Sequence, residues 1–183
     1  LLKPSSGEAR VCGFTVGWQN THIRPLIGYV PDFLGAYDDM LVREYLQFFA
    51  SCYGITGSRR SQVVDDALSL TDLGGKAESP ISGLSRGMSQ RLAVARVLLH
   101  DPEVLLLDEP ASGLDPRARV EMRELLRTLR DLGKTILISS HILHELAELC
   151  TSVGILERGK LVFAGSVQSA LDAASPGWPS YCL

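Results

Sequence analysis

Val104-Leu105-Leu106-Leu107 runs without interruption into Asp108-Glu109-Pro110. No other feature of the chain limits its fold so narrowly. An apolar run of this length reads as a strand buried on both faces, the environment of a parallel sheet covered by helices. It delivers two carboxylates at its C-terminal tip, the edge of an α/β sheet where ligands sit. Two adjacent acids there suit a phosphate–Mg²⁺ site, one holding the metal's water shell and the other handling an attacking water.

The flanking sequence repeats the strand–helix rhythm. Pro116 lies near the start of a helix whose Met122, Leu125, Leu126, Leu129 and Leu132 follow three–four spacing, and Gly133 suits its C-cap. Thr135-Ile136-Leu137-Ile138 is the next buried strand and ends at Ser139-Ser140-His141. A helix from Ile142 to Cys150 leads to a strand at Val153–Leu156, and Arg158-Gly159 turns the chain into a last strand, Leu161–Ala164. Upstream, Glu8–Phe14 reads as a short strand and Leu26–Val30 as another, stopped by Pro31. Residues 34–80 change to helical spacing, with Leu41, Tyr45, Leu46, Phe48 and Phe49 before a Gly54/Gly57 break. Val63, Val64, Ala67 and Leu68 form a second amphipathic stretch before Gly74-Gly75. Strand–helix–strand alternation predicts a largely parallel sheet with right-handed crossovers, interrupted by a helical insert.

Composition narrows the function classes. Hydrophobic residues make up 45% and charged residues 21% of the 183, ordinary for a globular protein with one real core. The net charge of −3 supplies no basic field toward nucleic acid or anionic lipid. No apolar stretch approaches the ~20 residues of a membrane span, so direct membrane insertion is not expected. Leu1-Leu2-Lys3-Pro4-Ser5-Ser6-Gly7 has neither the basic start nor the apolar run of a signal peptide. The four cysteines (Cys12, Cys52, Cys150, Cys182) are scattered without a Cys-x-x-Cys pair, which argues against zinc or a disulfide framework.

Leu84-Ser85-Arg86-Gly87-Met88 lies just before a helical pattern carrying Leu92, Ala95, Val97, Leu98 and Leu99. Ser85 at the helix N-cap would aim its hydroxyl, the free backbone N–H groups and the helix dipole at an anion, and Gly87 permits close approach of backbone to phosphate. Asp108-Glu109-Pro110 is followed by Ser112-Gly113-Leu114-Asp115. His141 at a strand end suits hydrogen bonding to a phosphate and an attacking water. His144 beside Glu145 does not follow His-Glu-x-x-His spacing and reads as helix-face decoration.

These runs together resemble the nucleotide-binding subunit of ATP-binding cassette (ABC) transporters, over roughly residues 1–165. The resemblance implies an α/β, RecA-like P-loop NTPase core with a largely parallel sheet and an inserted helical subdomain. It divides the chain into core remnant 1–33, helical subdomain 34–83, signature helix and second core half 84–165, and tail 166–183. It implies ATP and Mg²⁺ as cofactors. In its terms Asp108 binds Mg²⁺ through water, Glu109 polarises the water that attacks the γ-phosphate, and His141 is the switch histidine. Ser85, Arg86, Gly87 and Met88 stand for the signature, usually Leu-Ser-Gly-Gly-Gln, and Asp115 for the loop that crosses a dimer interface. Asp32 stands where a Gln usually touches Mg²⁺, and Phe33 to Asp39 would then lie near a groove for a coupling helix. The implied partners are a membrane-spanning permease subunit and a second nucleotide-binding subunit, with no nucleic acid. The implied place is the cytoplasmic face of the membrane, and the run from Val30-Pro31-Asp32 through Asp39 looks nearest to bacterial multidrug-type exporters.

A P-loop needs Gly-x-x-x-x-Gly-Lys-Ser/Thr between a strand and a helix, and the 183 residues contain none. Gly133-Lys134-Thr135 has Thr128 in place of the first Gly and runs from helix to strand, so it cannot wrap a phosphate. The chain also lacks an initiator Met, and its first residues look like the segment that follows a P-loop helix, so the expected protein is longer. A rival reading is an inert truncated subunit, or a half-site donor that offers only Ser85 and Gly87 to a partner's nucleotide. A DNA-repair or chromosome-structure ATPase would share the signature and the carboxylate pair, but the chain has no heptad coiled coil, zinc cysteines or basic face.

Overall fold

A computed structural model describes residues 3–32, 35, 39–142 and 148–173. The stretch read as one strand over Glu8–Phe14 is instead a small antiparallel ribbon, Arg10–Val11 (β1) with Phe14–Thr15 (β2). Cys12 (φ 49) and Gly13 (φ 82) both adopt positive φ between them, the geometry of a two-residue hairpin turn whose twist matches paired strands. Asn20–Ile23 forms one helical turn (α1) that leads through Pro25 to Ile27–Val30 (β3).

Two helices, Val42–Cys52 (α2) and Gly57–Leu70 (α3), lie between residues 34 and 83. The side chain of Glu44 reaches back to accept from the backbone N–H of Leu41 (3.0 Å), so one orphan donor of α2 is satisfied. Val42, Tyr45, Leu46 and Ala50 face inward, against Val64, Ala67 and Leu68 of α3. Phe48, grouped with the apolar stripe by its spacing, lies on the open side of α2 and stacks edge-on to Phe49.

Arg86–Leu98 (α4) packs on β3, α2 and α3 and against Pro116–Asp131 (α5). Leu92, Ala93, Val94 and Ala95 are all fully buried. That consecutive burial means the helix has no solvent stripe in its middle turns. β3 approaches it so closely that a Cβ on Gly28 would lie 3.0 Å from Val97 Cβ and 2.9 Å from Leu105 Cδ2. Arg91, only 7% exposed, ties the elements around α4. It donates to the Thr71 carbonyl (3.2 Å) and to Asp72 (3.3 Å) past the end of α3, and pairs with Glu121 of α5 at 3.4 Å.

The apolar runs pair in parallel as β3, Val104–Asp108 (β4) and Thr135–Ser139 (β5), with β4 in the centre. The expectation that β4 is buried on both faces is corrected here. Leu105 and Leu107 are buried on one face, whereas Val104 and Leu106 on the other are only half-buried, beside the exposed Tyr29 (53%) and Leu137 (66%) of the flanking strands. α5 ends as its sequence predicts. Gly133 takes φ 87 and its N–H donates to the Arg130 carbonyl, while Lys134 N donates to Leu129 O, the paired bonds of a Schellman cap.

The fold divides into two units between Ser139 and Ser140. The second contains Ser152–Glu157 (β6) and Lys160–Ser166 (β7), an antiparallel hairpin turned by Arg158 (φ 48) and Gly159 (φ 77) as the sequence predicts. Within the tail segment, 166–183, Val167–Ala173 (α6) is helical, and Val167 and Ala170 are buried where it packs on the hairpin. Leu1-Leu2, Phe33, Tyr37-Asp38, His144, Glu145 and the turn-rich stretch from Ser175 lie outside the described residues, as does most of the helix expected from Ile142 to Cys150.

Replacing Arg91 by Met leaves the Thr71 carbonyl and the Asp72 and Glu121 carboxylates without their shared donor. The unfolding free energy, read from urea titrations, should fall by about 1–3 kcal/mol. His100 supplies a pH test. Its ring packs at a tilt against Tyr53 (4.3 Å between centroids, 34° between planes), its Nε2 lies 3.1 Å from the Ile27 carbonyl, and its buried Nδ1 has no partner among the described residues. Burial pushes the imidazole below its ordinary 6.5, with the Ile27 carbonyl pulling the other way. The unfolded chain therefore takes up a proton first, so this contribution is complete above about 6.5 and is lost as pH falls from there through the lowered native value. Between about pH 7.5 and pH 5.5 the urea midpoint of His100→Phe should fall less than that of the wild type.

Candidate functional site

The parallel register decides what surrounds the acidic pair. β4 and β5 pair residue for residue from Val104↔Thr135 to Asp108↔Ser139, so the first polar residue after each apolar run lies beside the other. Ser139 Oγ donates to Asp108 Oδ1 at 2.6 Å, a short charge-assisted bond, and accepts from the backbone N–H of Glu109 at 3.2 Å. The same N–H also reaches the Ser139 carbonyl at 3.1 Å. Asp108 Oδ2 lies 3.5 Å from the Tyr29 hydroxyl, at the outer limit of a hydrogen bond.

Glu109 has φ 49, a left-handed conformation that costs an ordinary side chain roughly 1–3 kcal/mol and collects at functional positions. It turns the chain out of β4 into a loop held by Ser112 N donating to Glu109 O (3.0 Å). Arg119 of α5 steadies that loop from below, with Nε donating to the Leu114 carbonyl at 3.0 Å. Ser139, Tyr29 and Arg119 were not singled out from sequence. For Ser139 a signal existed: each apolar run, Val104–Leu107 and Ile136–Ile138, ends on a polar residue, so a parallel register that aligns the two run ends places Ser139 beside Asp108.

The signature segment begins α4 as expected, with Ser85 as N-cap accepting from Met88 N at 3.3 Å. Gly87 has a packing role that its sequence reading did not contain. A Cβ there would lie 2.7 Å from Ala118 Cβ, so its missing side chain is what lets α5 approach α4. Asp115 is the N-cap of α5 and accepts from Ala118 N at 2.9 Å, which occupies one of its oxygens within its own helix.

Arg86 and Asp32, two of the three departures from the usual pattern (Met88 is the third), meet. Arg86 Nη2 is 3.5 Å from Asp32 Oδ1, and the guanidinium lies over Gly113 (φ 64), where a Cβ would be 2.7 Å from Cζ. Both charges are more than half exposed, so the pair itself is worth about 0–1 kcal/mol. The structure thus supplies Asp32 with a cation from within the chain. His141 lies two residues beyond β5, at the start of the second unit, where Ser140 Oγ accepts from Ile142 N at 3.1 Å. Gly133-Lys134-Thr135 is confirmed as a helix-to-strand joint: Gly133 caps α5, Lys134 pairs with Asp101 and Thr135 starts β5.

The donors at the β4 tip are hard oxygens, which suits magnesium: it takes one or two protein carboxylates and completes its octahedron with water and phosphate. The described residues contain no cluster of three or more His, Cys, Asp or Glu side chains poised for a metal, so a protein-only cage of the zinc kind is not built there. Among the described residues no helix is long and apolar enough to cross a membrane.

The parallel α/β sheet with an acid pair at its central tip defines a nucleotide-binding domain of RecA-like fold. A family model described as ABC transporter matches residues 1–112, and the chain belongs to that family, among its ATP-binding subunits. It is 39% identical over 173 residues to the Nod factor export ATP-binding protein I of Burkholderia pseudomallei (strain K96243), covering 94% of this chain and 57% of that protein. It is 38% identical over 177 residues to the protein of the same description from Paraburkholderia xenovorans (strain LB400), covering 97% and 58%. The chain thus spans a little over half the length of these relatives. Among solved structures, cbiO1 from Clostridium perfringens, described as part of the ABC transporter complex cbiONQ, superposes with a TM-score of 0.86 at 29% identity, over 94% of this chain and 70% of that one. An ATP binding subunit of an ABC transporter superposes with a TM-score of 0.77 at 25% identity, over 94% and 72%.

Gly87→Ala should lower the unfolding free energy by about 1–3 kcal/mol, because α4 and α5 must separate, despite alanine's better helix propensity. Adding Ala118→Gly to it should recover most of the loss in the same urea titration, since the clash is between the two Cβ atoms.

Proposed function

We propose that the whole protein is the ATP-hydrolysing subunit of an ABC exporter. It energises a separate membrane-spanning permease through ATP-driven closure of a dimer of such subunits. The observation that carries this reading is the β4 tip: Asp108 oriented by Ser139, and Glu109 held next to it in a left-handed turn. Export is favoured by the relatives' description as Nod factor export proteins, and a permease partner by the place of cbiO1 in a transporter complex.

In this reading Asp108 holds the water shell of Mg²⁺, and the metal, when bound, neutralises charge on the phosphates. Glu109 accepts a hydrogen bond from the attacking water and draws off its proton, and His141 donates to the γ-phosphate oxygen. Ser85, Arg86, Gly87 and Met88 are offered with the N-terminus of α4 to the ATP of the second subunit, with Asp115 beside that interface. Asp32 is the additional carboxylate on the metal's side of the site, balanced in the free subunit by Arg86. The helical subdomain, 34–83, receives the permease beside the segment around Asp39.

The test belongs on the full-length protein assembled with its permease. Mg²⁺-dependent ATP hydrolysis should be present, and Glu109→Gln should lower kcat by about 10²–10⁴-fold while ATP is still bound. Absence of Mg²⁺-dependent hydrolysis, or hydrolysis indifferent to Glu109→Gln, overturns the enzyme reading. Stimulation of another subunit's hydrolysis in its place would favour the half-site donor.

A further inference from the structure

We infer that Ser139 is a positioning residue that sets the orientation of both members of the acidic pair; the inference rests on the ATPase reading of the same site. A carboxylate at a strand end can rotate about its terminal torsion, which is broad rather than three-fold, so a bound partner must choose its orientation. The Ser139 hydroxyl makes that choice. Its proton is committed to Asp108 Oδ1 at 2.6 Å, whereas among the described residues Oδ2 has only the Tyr29 hydroxyl at 3.5 Å. Oδ2 is therefore the oxygen presented for an incoming partner.

The same Ser139 oxygen accepts the Glu109 N–H at 3.2 Å, and the Ser139 carbonyl shares that N–H at 3.1 Å. One serine thus grips the backbone of Glu109 through two acceptors at the point where φ is 49. An N–H to O–H to carboxylate relay forms, in which each bond polarises the next. Residues that orient a metal-binding carboxylate typically change metal affinity or activity by about 10–100-fold when removed. No other described side chain donates to Asp108 at so short a distance, and the hydroxyl is the only side-chain group of Ser139 these contacts use, the carbonyl being backbone that any residue keeps. Threonine keeps that group; alanine deletes it.

Two readouts test the inference separately from the ATPase reading. In the 183-residue chain, the Glu109 amide should exchange its hydrogen several-fold faster in Ser139→Ala than in the wild type, with Ser139→Thr returning it to the wild-type rate. In the full-length protein assembled with its permease, Ser139→Ala should lower kcat by about 10–100-fold with the KM for ATP changed less than about threefold, and Ser139→Thr should restore kcat. An alanine variant with kcat within about twofold of wild type, or a threonine variant as impaired as alanine in both measurements, overturns the inference. If the wild-type complex shows no Mg²⁺-dependent hydrolysis, the ATPase reading fails, and amide exchange alone then decides: an unchanged Glu109 rate in Ser139→Ala overturns the positioning role.

Discussion

Helix α4 has almost no free side, and the first unit is organised around that fact. Leu92 through Ala95 are fully buried in sequence, which an amphipathic surface helix cannot show. The sheet lies on one side at Gly28, the helical insert on another through α2 and α3, and α5 on a third at Gly87 and Ala118. Arg91 supplies the polar part of this packing, since a buried guanidinium is tolerated only where its donors are met, and Thr71, Asp72 and Glu121 meet them from two different helices. The helix that begins with the signature is thus also the helix that joins the insert to the sheet. Any shift at its N-terminus is felt by both, because close-packed interiors have little slack.

The chemistry at the β4 tip follows from register. Parallel pairing without offset puts a carboxylate beside a hydroxyl at the same level of the sheet, and the strand end then turns sharply at Glu109. A one-residue slip of β5 would send Ser139 to the other face of the sheet and remove the donor from Asp108. The left-handed Glu109 is kept in place by bonds from the neighbouring strand, as expected of strain stored where the surroundings over-determine it.

The signature turn is specialised. Arg86 reaches across to Asp32 and lies on Gly113, so three segments far apart in sequence share one small cluster: the end of β3, the start of α4 and the loop before α5. The ion pair contributes little stability at its exposure, and its effect is to favour one arrangement of that loop. The open sheet face, with Tyr29 and Leu137 exposed, lies on the side that carries Asp108 and Ser139.

Much of this protein was legible in its residues. The two apolar runs, the proline-initiated helix between them and the Gly133 cap specify a parallel strand–helix–strand unit by local physics alone: burial pattern, capping and turn conformation. Ser85 as an N-cap and Arg158-Gly159 as a hairpin turn are of the same kind, and the motif run from Ser85 to Asp115 carried the family. Other features needed the third dimension. The use of Gly87 depends on Ala118, thirty-one residues away, and no local pattern shows that two Cβ positions would collide. Ser139 acquires a role only when β5 is set beside β4, Arg86 meets Asp32 only when α4 is laid against β3, and His100 shifts its titration only beside Tyr53 and the start of β3. Sequence alone determined the elements and the residue types at the sheet's edge. Tertiary structure decided which of those residues touch, because side-chain contacts between distant segments are set by packing and register rather than by local propensity.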